Sequence, residues 1–260
     1  MLRVLRARWQ QGYRTIAYPD GPPPDLPERF AGRPNVDSSK CIADCRKCAE
    51  VCPTAAIEVA SGEHRLRVDT GRCIFCRACE GECGSGAIAF SREFRMASSH
   101  REQLVVTDAV APPVVELGGR LRRLFRRSLK LRQVSAGGCN ACEADTNVLG
   151  TVGWDVGRFG IQFVASPRHA DGLLITGPVT DNMKLALEKT YEAVPSPKIV
   201  IAVGACAIAG GPYAGHPEVH NGAASTVPVD VFVPGCPPHP LTILHALLAA
   251  LGRLPESEVE

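Results

Sequence analysis

Twelve cysteines stand in this chain of 260 residues, and they come in tight, repeated spacings. The block Cys41-x3-Cys45-x2-Cys48-x3-Cys52 is followed by Cys73-x2-Cys76-x2-Cys79-x3-Cys83. Much later, "GGCNACEAD", "VGACAIAGG" and "FVPGCPPHP" supply Cys139, Cys142, Cys206 and Cys236. Cysteines two or three residues apart seldom bridge one another, because disulfide geometry is strict. Disulfides also suit small, secreted, core-poor chains. Here 45% of the residues are hydrophobic, and the basic start is not followed by an apolar run with a small-residue cleavage site. Metal ligation is the chemistry these spacings specify.

Three thiolates set two residues apart curl around one face of an iron–sulfur cube, and a fourth, set back, reaches a second cube. Structural zinc favours two separated Cys-x2-Cys knuckles instead. The spacing Cys-x3-Cys-x2-Cys also occurs in radical S-adenosylmethionine enzymes, but that fold needs a long βα barrel after the motif, and a second cysteine block follows here. Residues 38–95 resemble the bacterial two-cluster ferredoxin domain. The resemblance implies one 4Fe–4S cluster on Cys41, Cys45, Cys48 and Cys83, and another on Cys73, Cys76, Cys79 and Cys52. Two departures stand out: "CIADC" has three residues in the first gap where the family has two, and Gly84 replaces the proline after the last cysteine. The extra residue leaves two readings of Cys41, a bulge that keeps it as a ligand or a three-iron cluster.

The elements that must position these residues fall into four stretches. Residues 1–37 read as an irregular leader, basic and then Pro-rich, expected to lie extended over a neighbour's surface. Residues 38–95 repeat a cysteine block followed by a short strand, "TAAIEVA" and then "SGAIAF". Residues 96–118 are a linker. From 119 the chain turns basic: "GRLRRLFRRSLKLR" places Leu121, Leu124, Phe125 and Leu129 at helical spacing. That pattern suits a solvated amphipathic helix or an anchor on a partner or anionic membrane. Beyond it, "LRQVSA", "IQFVASP", "GLLITGPV", "KIVIAVGAC" and "VDVFVPGC" read as buried strands. "DNMKLALEKTYEAV" and "HPLTILHALLAALGRL" read as helices, started by Asp181 and by Pro238 or Pro240. Strand–helix alternation predicts an α/β domain, a doubly wound, mostly parallel sheet of flavodoxin type, over 119–260.

The last four cysteines all follow predicted strands. They therefore converge on the carboxyl edge of a parallel sheet, where ligands bind at the switch in strand order. Gly137, Gly138, Gly204 and Gly235 beside them let the backbone approach a bulky group with positive φ. Four thiolates at one sheet edge make a third iron–sulfur site.

Residues 119–254 resemble the small subunit of energy-converting nickel–iron hydrogenases of the formate hydrogenlyase type, through "GGCNACEAD", "RFGIQFVASPRHADGLLITGPVT", "VGACAIAGG" and "VDVFVPGCPPHP". The leader and "CIFCRACEGEC" look like the ferredoxin subunit of the same complexes, fused here into one chain. The complex I relatives usually have adjacent cysteines where this chain has Cys139-x2-Cys142. The resemblance implies an electron relay of three 4Fe–4S clusters with no catalytic residue of its own. Its implied partners are a nickel–iron large subunit, membrane-embedded antiporter-like subunits, and an electron donor such as formate or carbon monoxide dehydrogenase. Its implied place is the cytoplasmic side of the membrane, held peripherally through partners. The alternatives are a complex I-like or hydrogenase-related oxidoreductase subunit without nickel, and a zinc-stabilised scaffold.

Other residues carry weaker signals. Glu143 and Asp145 suit the positive end of a helix, or proton handling or partner contact near the third site. Matching the family's "SPRHAD", Arg168 and His169 are expected to face that site or the large subunit, or else to form a loop packed by its own hydrogen bonds. His216 and His220 read as a surface loop, since Pro217 breaks helical presentation. His239 reads as support for the third site or as an interface residue. A net charge of +2 argues against a nucleic-acid partner.

Overall fold

The computed structural model describes residues 2–60, 66–108 and 112–254. The divisions expected at 1–37, 38–95, 96–118 and 119–260 each include some residues outside that set.

The N-terminal half is built from short antiparallel strands around two short helices. β1 (Pro34–Val36) pairs with β4 (Ile88–Phe90). β2 (Ile57–Val59), β3 (Leu66–Asp69) and β5 (Val105–Val106) form a second sheet in that order. α2 (Lys47–Glu50) and α3 (Ala78–Glu82) each carry a cysteine into a core with Val36, Ile57, Leu66, Val68, Ile88 and Val106. Alternation places every second side chain of "TAAIEVA" and "SGAIAF" inward, so such short strands still hold a face. Two strands fall outside the expected 38–95 range. β1 comes from the leader, and β5 comes from the linker. The physical reason is edge cover: β3 would otherwise present unpaired backbone groups, and β5 pairs with it at Val68 and Asp69.

The C-terminal half is a five-stranded parallel sheet: β6 (Leu129–Ser135), β7 (Ile161–Phe163), β8 (Gly172–Thr176), β9 (Ile199–Val203) and β10 (Val231–Val233). The order β7-β6-β8-β9-β10 is the flavodoxin order. All five strands expected from sequence are present. β8 and β9 are buried at every position, so each supplies two apolar faces. Leu174, Ile199, Ile201 and Val203 pack with α8 (Pro240–Leu251) on one face. Leu173, Ile175, Val200 and Ala202 pack on the other with Leu187 of α6 (Asp181–Ala193). α6 starts at Asp181, and α8 starts at Pro240 with His239 as its cap. Truncating a core leucine such as Leu247 to Ala costs on the order of 2–5 kcal/mol.

The basic segment is corrected in one respect. α4 (Gly119–Phe125) ends at Phe125, and Leu129 opens β6. Leu129 and Phe125 are buried while Leu124 stays exposed. Helical spacing over the whole segment misled, because Leu129 and Leu131 alternate as strand residues paired with Ile161 and Phe163.

The leader is corrected too. Its start, α1 (Leu2–Gln11), is helical. The rest lies over this same chain rather than over a neighbour. Ile16 N–H donates to the Gly153 carbonyl, and Arg158 donates to the Ile16 and Tyr18 carbonyls at 2.7 and 2.6 Å. Tyr18 is fully buried and shares a 2.6 Å hydrogen bond with His245 of α8. Fusion of the two halves in one chain brings the surface it covers within reach.

A further tie joins the halves: Ser98 pairs with Phe232 and so covers the β10 edge. Within the N-terminal half, Arg101 holds Asp69 through two bonds of 2.8 and 2.6 Å.

Candidate metal centres

None of the twelve cysteines is bridged in a disulfide. They gather in three groups, each recognisable by the charges its members exert on one another.

In the first group, Cys41 and Cys45 sit on the loop before α2, Cys48 lies inside α2, and Cys83 ends α3. Burial pushes the Cys48 thiol up, followed by the charges of Cys83, Cys41 and Cys45. Cys41 is therefore brought to the group despite the longer gap. Asp44 takes φ +59 in that loop, the left-handed turn that absorbs the extra residue. At Cys83 burial pushes the thiol up, but the Ser85 hydroxyl and the backbone N–H groups of Ile88, Ala87 and Ser85 outweigh it and leave the thiol lowered.

The second group gathers Cys73, Cys76 and Cys79 with Cys52. Cys73 is pushed up to about 12, first by burial and then by Cys79, Cys52 and Cys76. Cys79 is pushed up to about 11 by burial, then Cys52, Cys76 and Cys48. Each group thus borrows its fourth member from the other cysteine block. Backbone N–H groups point at the sulfurs: Phe75 N–H to Cys73 Sγ and Ala56 N–H to Cys52 Sγ, both 3.3 Å.

The third group lies at the carboxyl edge of the parallel sheet. Cys139 precedes α5 (Ala141–Val148), which carries Cys142. Cys206 lies in α7 (Ala205–Ala209) after β9, and Cys236 follows β10. Burial raises Cys142, with Cys206, Glu143, Cys236 and Cys139 adding to it. Cys206 is pushed up to about 12 by burial, then by Cys236, Cys139 and Glu143. Cys236 is raised by burial, then by Cys139 and by Cys76 of the second group.

Such groups fit an iron–sulfur cube. Buried thiols that repel one another stay protonated unless a cation sits among them. Zinc would draw four sulfurs to about 2.3 Å from one point. A cube spreads its four thiolates over four irons and asks for a wider cage. The backbone leaves room for sulfur: a Cβ at Gly204 (φ +92) would stand 2.5 Å from Cys142 Sγ, and one at Gly211 (φ +56) 2.7 Å from Cys206 Sγ. Gly137, Gly204 and Gly235 have positive φ, as expected. Gly138 is not among the positive-φ glycines; its constraint is close approach, 3.0 Å from a Cβ there to Gly177 Cα.

Other candidates fall into place around this edge. Glu143 is buried, and one carboxylate oxygen accepts from Ser135 Oγ at 2.5 Å and Thr176 Oγ1 at 2.7 Å. It ties α5 to the ends of β6 and β8. Burial pushes Asp145 up, and it lines a cleft of about 280 Å³ with Phe30, Phe75, Met96, Cys236 and His239. Burial pulls His239 down; its Nδ1 accepts from Leu241 N–H, and Phe30 and Trp154 lie edge-on to its ring. Arg168 and His169 do not face the third group. They are exposed, and His169 lines a cleft with Lys130, Asp171 and Pro195 to Pro197, at the amino ends of β6, β8 and β9. β7 is three residues long, so the chain returns to the opposite edge before β8 starts. His216 and His220 lie on a surface loop, His220 2.7 Å from Asp181.

Sequence reasoning missed Gly211 and the two hydroxyls on Glu143. The doubled glycine of "IAGG" was the available signal for Gly211; nothing in sequence links Thr176 to Glu143.

Fold and site define an iron–sulfur protein with a two-cluster domain joined to a flavodoxin-like sheet. Residues 29–87 match the 4Fe-4S dicluster domain, and residues 139–250 match the 20 kDa subunit of NADH ubiquinone oxidoreductase. The chain is 44% identical over 134 residues to the probable membrane-bound hydrogenase subunit mbhJ of Pyrococcus furiosus, covering 52% of this chain and 80% of that one. It is 40% identical over 141 residues to formate hydrogenlyase subunit 7 of Escherichia coli, covering 54% of this chain and 55% of that one. It is 42% identical over 118 residues to an NADH-quinone oxidoreductase subunit of Clostridium beijerinckii, covering 45% of this chain and 70% of that one. The chain belongs to the family of this 20 kDa oxidoreductase subunit, with a 4Fe–4S dicluster domain ahead of it. It is an electron-transfer subunit of an oxidoreductase and binds 4Fe–4S clusters.

Proposed function

We propose that this chain is the electron-transfer subunit of a membrane-associated nickel–iron hydrogenase of the formate hydrogenlyase type, and that it holds three 4Fe–4S clusters. Cys41, Cys45, Cys48 and Cys83 would hold the first. Cys73, Cys76, Cys79 and Cys52 would hold the second. Cys139, Cys142, Cys206 and Cys236 would hold the third. When bound, such a cluster supplies reversible one-electron transfer. The chain's own residues do the rest. Strand order brings Cys139, Cys206 and Cys236 from distant positions to one sheet edge. Backbone N–H groups of Phe75 and Ala56 donate to ligand sulfurs and favour the reduced state. Apolar packing shields Cys48 and Cys79, one sulfur in each of the first two sites, while Cys76 of the second stays exposed. Exposed Cys139 and Cys236 leave the third site open toward a partner.

The observation that carries this reading is the placement of the cysteines: Cys41, Cys48, Cys52, Cys79 and Cys83 pack in one core around α2 and α3, and Cys139, Cys142, Cys206 and Cys236 come to one carboxyl edge of the parallel sheet. The Cys139-x2-Cys142 spacing and the similarity to mbhJ and formate hydrogenlyase subunit 7 support the hydrogenase branch. The partners in this reading are a nickel–iron large subunit, membrane-embedded antiporter-like subunits and an electron-donor dehydrogenase. Among the described residues no helix is long and apolar enough to cross a membrane. The attachment proposed is peripheral, on the cytoplasmic side. The domain divisions proposed are a leader at 1–37, a two-cluster domain at 38–95 with β1 and β5 added, a linker, and a small-subunit-like domain from 119.

Anaerobic isolation of the native complex tests the reading. Three cubes give twelve irons on this chain, and the large subunit should hold nickel on two Cys-x2-Cys pairs. Zinc in place of iron ends it. Iron here with a nickel-free large subunit favours the complex I-like reading, which the similarity to the Clostridium beijerinckii NADH-quinone oxidoreductase chain also supports.

A further inference from the structure

No side chain of α1 is buried. Leu2, Leu5 and Trp9 fall on one stripe of the helix, and they are 83%, 63% and 86% exposed, while Val4, 72% exposed, lies on the far side. Arg3, Arg6 and Arg8 flank that stripe, and residues 2–17 contain no acid. Tyr13, 90% exposed, lies under the Arg8 guanidinium at 4.6 Å. A helix of ten residues is marginal in water without a surface to cover its apolar side. Its root is fixed: Thr15 Oγ1 donates to the Val152 carbonyl at 2.9 Å, and Ile16 N–H donates to Gly153. The helix therefore projects from a rigid point while touching little of its own protein.

We propose that α1 lies in the headgroup layer of an anionic bilayer, with Leu2, Leu5 and Trp9 among the acyl chains and the arginines on lipid phosphates. Charge complementarity selects this occupant. One sign of charge beside an apolar stripe that ends in Trp is the composition of interfacial helices. Each arginine near an anionic surface adds to the attraction, and Trp and Tyr favour the membrane–water boundary. This deepens the membrane-associated reading above, on which it rests, and gives this chain a direct lipid contact of its own.

The full chain, loaded with iron and sulfide anaerobically, is mixed with vesicles and floated on a density step. One set is phosphatidylcholine alone; the other is phosphatidylcholine and phosphatidylglycerol in equal parts. The chain should float with the anionic vesicles at about 50 mM salt and lose binding about ten-fold at about 500 mM, where screening is strong. The Leu5→Gln/Trp9→Gln variant should bind about ten-fold less, with iron content and paramagnetic resonance spectra unchanged. Equal binding to neutral vesicles, or undiminished binding by the variant, overturns the proposal. No vesicle binding, with α1 protected from protease only in the delipidated complex, also overturns it and assigns the helix to a protein groove. Iron content reports the cluster reading separately, so its failure is not confused with failure to float.

Discussion

Cys76 and Cys236 are electrostatic neighbours across the junction of the two halves: the charge of Cys76 is one of those that raise the Cys236 thiol. Cys79 and Cys48 are neighbours in the same sense between α3 and α2. In the proposed assignment the three sets of cysteines stand in series, with the Cys52-Cys73-Cys76-Cys79 set in the middle.

That order predicts a selective loss. Cys236→Ala should remove one of three reduced-cluster signals by electron paramagnetic resonance and leave two, together with about eight of twelve irons. Spin–spin broadening of the middle signal should narrow in the same variant. Collapse of all three signals would show that the sites are not independent.

Gly204 is the backbone position on which the third site depends most directly. Its φ is +92, and an added Cβ would stand 2.5 Å from Cys142 Sγ. Gly204→Ala should displace that sulfur and abolish the third signal, at a stability cost of roughly 1–3 kcal/mol from the strained φ. A variant with all three signals intact would show that the loop yields without moving Cys142.

Glu143 adds a charge to Cys142 and Cys206 while two hydroxyls hold it in place. Glu143→Gln keeps the shape and removes the charge, so the third site's reduction potential should rise, on the order of tens of millivolts. Potentiometric titration of that signal checks it. An unchanged potential would leave Glu143 with structural tethering alone, which Thr176→Val should then weaken equally.

His245 ties stability to pH. Burial, then the charge of Arg95, lowers it to about 4 against Glu93, which raises it; its ring bonds Tyr18. The ordinary value is 6.5, so between about 4 and 6.5 the unfolded chain binds more protons than the folded one, and stability rises with pH. The full contribution is present above pH 6.5 and is lost as pH falls toward 4, on the order of 3 kcal/mol. Denaturant unfolding at several pH values should show this slope, and His245→Gln should flatten it. A parallel slope in both proteins would place the acid sensitivity elsewhere.

Much of this was legible because local chemistry is written locally. The cysteine spacings marked out metal-ligating stretches, and β-branched runs such as "KIVIAV" and "VDVFV" could be strands and little else. Asp181 and Pro240 marked helix starts because capping is a matter of adjacent residues. The errors arose where two periods overlapped or where distance mattered. Leu129 fitted a helix until its pairing with Ile161 made it a strand residue. His169 belonged to a family motif, yet a three-residue β7 carried it to the far edge of the sheet.

The sequence by itself determined that twelve thiols come in blocks suited to iron–sulfur cubes, and that a parallel sheet gathers the last four. Only the tertiary structure decided that the loop holding Cys41 packs against α2, that the charge of Cys76 is felt at Cys236, that Glu143 is clasped by Ser135 and Thr176, and that the leader straps its own partner half while α1 stays bare. The reason is physical. Ligand spacing and strand pattern depend on residues close in sequence, whereas electrostatic coupling, steric room beside a sulfur and the covering of a surface depend on residues that only folding makes neighbours.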